Sequence, residues 1–135
     1  MTENWDHKDE WRRRGKDFLV SISRHNGYAS MDEGRGLNRW AVYAYIYPKH
    51  PLFKTFVGDD MFQDAAQKLP LHGGVSFLEW HHKDGVPCSV QVGADYDHLH
   101  DQNFTHYATA EEAQEVFIDA NHLFNYLQEE HHGKS

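Results

Sequence analysis

A chain of 135 residues with a formal net charge of −8 has room for one domain, and its charge disfavours nucleic acid as a partner because phosphates would be repelled. No apolar stretch approaches the roughly 20 residues that cross a bilayer, and the N-terminus lacks the apolar core of a secretory signal, so we expect a cytoplasmic protein with no membrane partner. Cys88 is the only cysteine, which excludes an internal disulfide and fits a reducing compartment.

The first part of the chain predicts one strand between two irregular segments. Residues 1–16 carry mixed charges around Trp5 and Trp11, and they predict a peripheral arm or a short helix. Apolar and polar residues then alternate over 18–23, which predicts a half-buried strand. Glycines and small polar residues fill 26–38 and predict a mobile loop.

Residues 39–47 give the clearest strand signal, because they are rich in aromatic and β-branched residues in strict alternation. One face of this strand would carry Trp40, Val42, Ala44 and Ile46, and the other would carry Tyr43, Tyr45 and Tyr47. Apolar residues at helical spacing over 59–69 predict a helix, with Asp59 or Asp60 available to cap it.

Two further strands, 75–81 and 88–95, are predicted to form a hairpin around the Asp84-Gly85 dipeptide. One face of the second strand is apolar, and the other is small or polar and includes Gln91 and Asp95.

The end of the chain predicts a long amphipathic helix over about 110–130. Its apolar stripe consists of Ala113, Val116, Phe117, Ala120, Leu123, Phe124 and Leu127. Thr109 and Glu112 have the spacing of a capping box. Together these elements predict a single α+β domain over 1–135, with two layers: a mainly antiparallel four-stranded sheet and the C-terminal helix that covers one of its faces.

The uncovered face of this sheet is the first candidate ligand-binding site. Tyr43 and Tyr45 would offer stacking surface and hydroxyl groups there, beside Gln91 and Asp95. The alternatives are that the helix at 59–69, or a second subunit, covers the tyrosines.

The His72-Gly73-Gly74 segment is a second candidate, because paired glycines leave backbone N–H groups accessible to an anion that an imidazole could also contact. The alternative is a simple turn, in which the glycines adopt positive φ before the third strand.

A third candidate is the segment 93–101, where three carboxylates and two imidazoles follow the last strand. Asp95, His98 and His100 could hold a divalent metal, joined by His72, because imidazole and carboxylate suit zinc, manganese or iron. The alternative is that the aspartates cap a loop while the histidines are solvated. A divalent metal is thus the cofactor to test for, and the sequence identifies no catalytic residue.

Three segments of the chain resemble small uncharacterised proteins of tailed-phage genomes and prophages. They are the His-Pro-Leu stretch within 47–53, the His-Gly-Gly stretch within 71–77, and the Gly-x-Asp stretch within 93–98. The resemblance covers about 39–127 and implies that His50, His72 and Asp95 are the matching positions. It implies no established activity.

Three functions follow as hypotheses. The first, which we favour, is a non-enzymatic phage-type accessory protein of the host cytoplasm that binds a small ligand or a host protein through its polar sheet face, in host takeover or counter-defence. The second is a small metal-dependent hydrolase resembling a phosphoesterase, in which Asp97 or Asp101 would act as base on a metal-bound water. The third is a structural or assembly protein of the phage particle, with the tyrosines as a homo-oligomer interface.

Overall fold

The described residues form an antiparallel β-sheet, and a C-terminal helix packs along one of its faces. The computed structural model describes residues 6–7, 10–26, 36–96 and 102–133. The strands are β1 (Asp6–His7), β2 (Glu10–Gly15), β3 (Phe18–Asn26), β4 (Asn38–Ile46), β5 (Phe77–Lys83) and β6 (Val86–Asp95). The helices are α1 (Asp64–Gln67) and α2 (Gln114–Gly133), and two 3-10 turns span Phe53–Thr55 and Gln102–His106. The fold is α+β, as the sequence predicts.

The six strands of the described residues lie in the order β1-β2-β3-β4-β6-β5, and every neighbouring pair is antiparallel. The strand β6 therefore lies between β4 and β5. At the tip of the β5–β6 hairpin, φ is 53° at Asp84 and 81° at Gly85, so the Asp-Gly turn has both central residues at positive φ. This confirms the predicted hairpin.

Alternate residues of the central strands form the core with α2. The buried sheet residues include Phe18, Val20, Ile22, Trp40, Val42, Ala44, Ile46, Val90, Val92 and Ala94. All seven residues of the stripe predicted for the helix are buried. The capping box is also confirmed, since the Glu112 N–H donates to Thr109 Oγ1 and the Thr109 N–H donates to Glu112 Oε1, each at 3.2 Å.

Within the part of the chain that the structure describes, the sheet has two more strands than the four predicted, because the segment expected to be an arm or a short helix contains β1 and β2. On β2, Trp11 and Arg13 point toward the core. The Trp11 ring stacks on Trp40 with centroids 5.4 Å apart, and the Arg13 guanidinium carbon lies 3.9 Å from the Phe124 ring centroid. A cation–π contact thus lets a charged residue occupy a core-facing strand position, which hides the alternation in the sequence.

The predicted helix over 59–69 is reduced to the single turn of α1. Asp60 Oδ1 accepts from the Phe62 N–H at 2.9 Å, and the Gln63 side chain bonds both the N–H and the carbonyl of Val57. These side chains satisfy backbone groups in turn geometry, so the helix starts later than the apolar spacing indicates.

Both ends of the loop predicted over 26–38 belong to strands in the structure. The strand β3 extends to Asn26 and β4 begins at Asn38, and residues 27–35 lie outside the described ranges. Across the described ranges, no helix has the length and apolarity needed to cross a membrane.

Candidate functional site

The side of the sheet opposite α2, which we call the open face, collects the polar and aromatic side chains of five strands. The register places Arg14, Leu19, Tyr45, Gln91 and Glu79 in one row across it, and Arg12, Ser21, Tyr43, Gly93 and Phe77 in the next. Three residues predicted as ligand-binding, Tyr43, Tyr45 and Gln91, therefore lie together. The 59–69 segment does not cover these residues. Gly58, just before that segment, accepts a hydrogen bond from the Trp80 indole N–H, and the Trp80 ring packs on the core side of β5.

Tyr43 lies across Gly93 on the neighbouring strand. A Cβ built on Gly93 would be 2.3 Å from Tyr43 Cδ1, so a side chain at this position would displace the ring. On its other side, Gly93 is paired with Phe77, whose ring meets the Tyr43 ring edge-on at 5.4 Å. The glycine therefore brings two aromatic rings from β4 and β5 together above β6.

The second aromatic pair is Tyr45 and His81, which stack with centroids 5.9 Å apart and an interplanar angle of 29°. His81 Nε2 donates to Gln91 Oε1 at 2.7 Å, which orients both side chains. His81 lies at the end of the predicted strand 75–81, and this bond and the stacking make it part of the open face. The sequence missed it because its partner Gln91 comes ten residues later, on the other strand of the hairpin.

The polar groups beneath the rings are satisfied within the sheet. Ser21 is fully buried, and its hydroxyl donates to Glu10 Oε2 at 2.7 Å. Burial, and then the Asp95 carboxylate, raise the pKa of the Tyr43 phenol; burial and then Glu10 raise the pKa of Tyr45. Both phenols are therefore protonated at neutral pH and can donate hydrogen bonds to an acceptor on a partner.

Charge is distributed unevenly across the open face. Arg12 and Arg14 are exposed on β2, at one side of the tyrosines. Glu79 and Asp95 are exposed on β5 and β6, at the other side. The aromatic centre thus has a basic flank and an acidic flank, although the whole chain is strongly negative.

His72 and Asp95, grouped in the sequence as candidate metal ligands, contact different sides of the sheet. The His72 ring stacks on Tyr96, which is buried and donates from its hydroxyl to Asp119 Oδ2 of α2 at 2.6 Å. Asp95 alternates with Tyr96 and belongs to the open face, where its charge acts on Tyr43. The two segments still touch, since the Asp95 backbone N–H donates to the Ser76 side chain at Oγ, at 3.2 Å.

The two glycines after His72 adopt left-handed backbone conformations, with φ of 68° at Gly73 and 85° at Gly74. The Gly74 N–H donates to the Leu71 carbonyl at 3.1 Å, which closes a tight turn. This is the geometry of the turn alternative. A role in anion binding stays a prediction.

The predicted metal ligands His98 and His100, together with Asp97 and Asp101, lie outside the described residues. Among the residues that the structure does describe, no three His, Cys, Asp or Glu side chains are grouped to hold a metal ion. The divalent-metal site and the hydrolase built on it therefore stay predictions.

His50, between Lys49 and Pro51, is buried, with only 2% of it accessible. Its Nδ1 accepts from the Leu52 N–H at 3.1 Å, so Nε2 carries the proton and donates to the Leu127 carbonyl of α2 at 2.9 Å. Burial lowers the pKa of this imidazole. His50 is thus a neutral structural residue, whose burial depends on a helix 77 residues away and is invisible to local sequence patterns.

A cleft of about 550 Å³ lies apart from the open face, between the first 3-10 turn, α1 and the end of α2. Its lining includes Lys54, Lys68, Asp64, Glu130 and Tyr126. Both signs of charge face this cleft, so its lining does not select for either ligand charge.

Comparison with known proteins gives no match: no protein-family model, curated protein or solved structure matches this chain.

Proposed function

We propose that this protein is a non-enzymatic binding module that holds a partner protein against the open face of its sheet. The observation that carries the proposal is the pairing of Tyr43 with Phe77 and of Tyr45 with His81 on the side of the sheet away from α2. Tyrosine and arginine, together with tryptophan, are enriched among the residues that dominate protein–protein binding energy.

The shape of the surface favours a protein over a small ligand. Small-molecule sites are usually concave and enclose most of their ligand. The cleft near α1 and a shallow groove beside β5 are lined by residues outside the aromatic rows. The open face itself offers ring faces and hydroxyl donors spread over five strands, which suits a broad contact.

The charges of the open face define the partner chemistry. A complementary protein would place acidic side chains against Arg12 and Arg14, and basic side chains against Glu79 and Asp95. Complementary charge of this kind speeds association and fixes orientation. The net charge of the whole chain, −8, disfavours nucleic acid as the partner.

The resemblance of three segments to small tailed-phage proteins supports a bacterial host protein as the partner. The protein would then have a phage-type accessory role in the host cytoplasm, in host takeover or counter-defence. The open face would bind the host protein, so the first experiment tests the open face.

The test is affinity capture from bacterial extract with matched variants. Tyr45→Ala removes a central ring, and Ile118→Ala is the control because Ile118 is 43% exposed on α2, away from the open face. We expect a host protein that binds the wild type and Ile118→Ala, and that binds Tyr45→Ala at least about tenfold more weakly by calorimetry with the purified partner. Arg12→Glu should slow association and reduce its salt dependence.

Two results would contradict the proposal. One is capture that is equal for the wild type and both variants, since the contact would then lie elsewhere. The other is a shift of β4 and β6 amide resonances by the low-molecular-weight filtrate of the extract, with no protein captured, because the ligand would then be a small molecule.

A further inference from the structure

The sheet ends in β5, whose neighbour within the described sheet is β6 alone. Its outer edge is seven residues long and has Trp80 at its centre. An exposed edge presents backbone donors and acceptors that can pair with another strand. We propose that this edge pairs, antiparallel, with β5 of a second copy of the chain, around a twofold axis at Trp80.

The sequence of β5 is complementary to itself in this register. With Trp80 opposite Trp80, Glu79 of each copy faces His81 of the other, so a carboxylate opposes an imidazole twice. A register centred on Glu79 would oppose two carboxylates, and one centred on His81 would oppose two imidazoles. Two opposed carboxylates repel each other, whereas an imidazole N–H can donate a hydrogen bond to a carboxylate, which favours the Trp80 register.

Apolar surface beside the edge supports the same contact. A shallow groove of about 560 Å³ is lined by residues that include Phe56, Val57, Trp80 and Pro87. Val57 is 76% exposed, and the Trp80 Nε1–H donates to the Gly58 carbonyl at 2.7 Å, which fixes the indole at the groove. A second copy centred on Trp80 would bring its own indole over this groove and remove both apolar surfaces from water.

The pairing closes with two copies. Each copy uses the same edge, so the contact is isologous. The opposite end of the described sheet is β1, which is two residues long and offers little for a further strand. The dimer would join the two open faces into one larger surface on the same side. It forms without the partner proposed for that surface, although Glu79 and His81 lie at both contacts.

The test is the molar mass of the purified, untagged protein by sedimentation over a range of concentrations. We expect a monomer–dimer equilibrium that Glu79→Lys and His81→Glu each weaken by about tenfold or more. The double variant E79K/H81E should restore association, because lysine and glutamate again face each other across the twofold axis. Glu111→Lys is the control, since it makes the same charge change at an exposed site outside β5. Arg12→Glu, on β2 and away from the β5 edge, should associate like the wild type.

Protection of β5 amides from hydrogen exchange, measured on the wild type at low and high concentration, gives a readout that needs no variant. We expect protection to rise with concentration along the outer edge of β5. A wild type that stays monomeric at all concentrations, or a dimer that both single variants leave unchanged, would overturn the proposal. So would single variants that keep their fold by circular dichroism but whose association the double variant fails to restore.

Discussion

At the scale of single residues, Gly93 defines the open face more than any polar side chain on it. Because Gly93 has no side chain, the Tyr43 ring can lie over β6 and contact the Phe77 ring. A glycine in a strand normally weakens it, because it packs nothing and is flexible in the unfolded chain. Here aromatic rings from both neighbouring strands cover the gap.

Gly93→Ala is therefore expected to destabilise the protein. The new Cβ would be 2.3 Å from the Tyr43 ring and 2.5 Å from the Val42 carbonyl oxygen, so both the ring and the backbone must move. We expect the free energy of unfolding in urea to fall by about 1–3 kcal/mol. Cys88→Ala, at an exposed position on the same strand, is the control and should change it by less than about 0.5 kcal/mol. Equal effects of the two substitutions would show that the Tyr43 ring does not depend on Gly93.

At the scale of elements, α2 is held at its start by the capping box between Thr109 and Glu112. Glu112 Oε1 also accepts from the Ala108 N–H at 3.0 Å. The backbone hydrogen bond from Ala108, ahead of the contribution from Thr109, lowers the pKa of this carboxyl. The start of the helix thus relies on side-chain acceptors for N–H groups that have no partner within the helix.

Thr109→Ala removes one of these acceptors. We expect it to lower the free energy of unfolding by about 1 kcal/mol, and Thr109→Ser to lower it by much less, because serine retains the hydroxyl. Chemical denaturation followed by far-ultraviolet circular dichroism measures both. A serine variant as unstable as the alanine variant would show that the methyl group, rather than the cap, matters at this position.

Elements with local signals were predicted well from the sequence. β3, β4, the β5–β6 hairpin and α2 each have their own periodicity, turn or cap within a few residues. β2 was missed because Arg13 occupies a core-facing position through its contact with Phe124, more than a hundred residues later in the chain. The helix over 59–69 was overestimated because Gln63 instead closes a turn with Val57.

The candidate site was predicted in part, for the same reason. Tyr43 and Tyr45 were assigned to the open face from alternation alone, and Gln91 from its own strand. Strand order, which no local pattern reveals, brings His81 against Gln91 and places Gly93 beneath Tyr43. The stacking of His72 on Tyr96 depends on the same long-range pairing.

At the scale of the whole molecule, His50 fastens the segment after β4 to the last turns of α2. Its ring meets Phe18 at 5.7 Å and His131 at 5.2 Å, and His131 Nε2 lies 2.9 Å from Asp17 Oδ2 in the β2–β3 turn. The end of α2 therefore contacts both the segment that follows β4 and the turn between β2 and β3. The ionisable groups that act on His50 are His131, Asp17 and Glu130.

Acid is expected to weaken this connection. Burial holds the pKa of His50 below the value of about 6.5 that an unfolded histidine has, so the unfolded chain binds the proton first as pH falls. The stability that neutral His50 provides is complete above about pH 6.5 and declines as pH falls below it toward the folded-state pKa. We expect the wild type to lose more unfolding free energy between about pH 7.5 and pH 5.5 than His50→Gln, which keeps a donor but does not titrate. Equal losses in urea denaturation would show that His50 does not carry this pH dependence.

The position of β6 between β4 and β5 also bears on how fast the protein folds. The β2–β3 and β5–β6 hairpins close through short turns, whereas pairing Ile46 with Val90 must first bring together residues separated by the whole 47–89 segment. Closing such a loop costs chain entropy before any contact compensates for it, so we expect the joining of β6 to β4 to limit the refolding rate. Stopped-flow fluorescence would then show Val92→Ala refolding more slowly than the wild type, with Cys88→Ala unaffected.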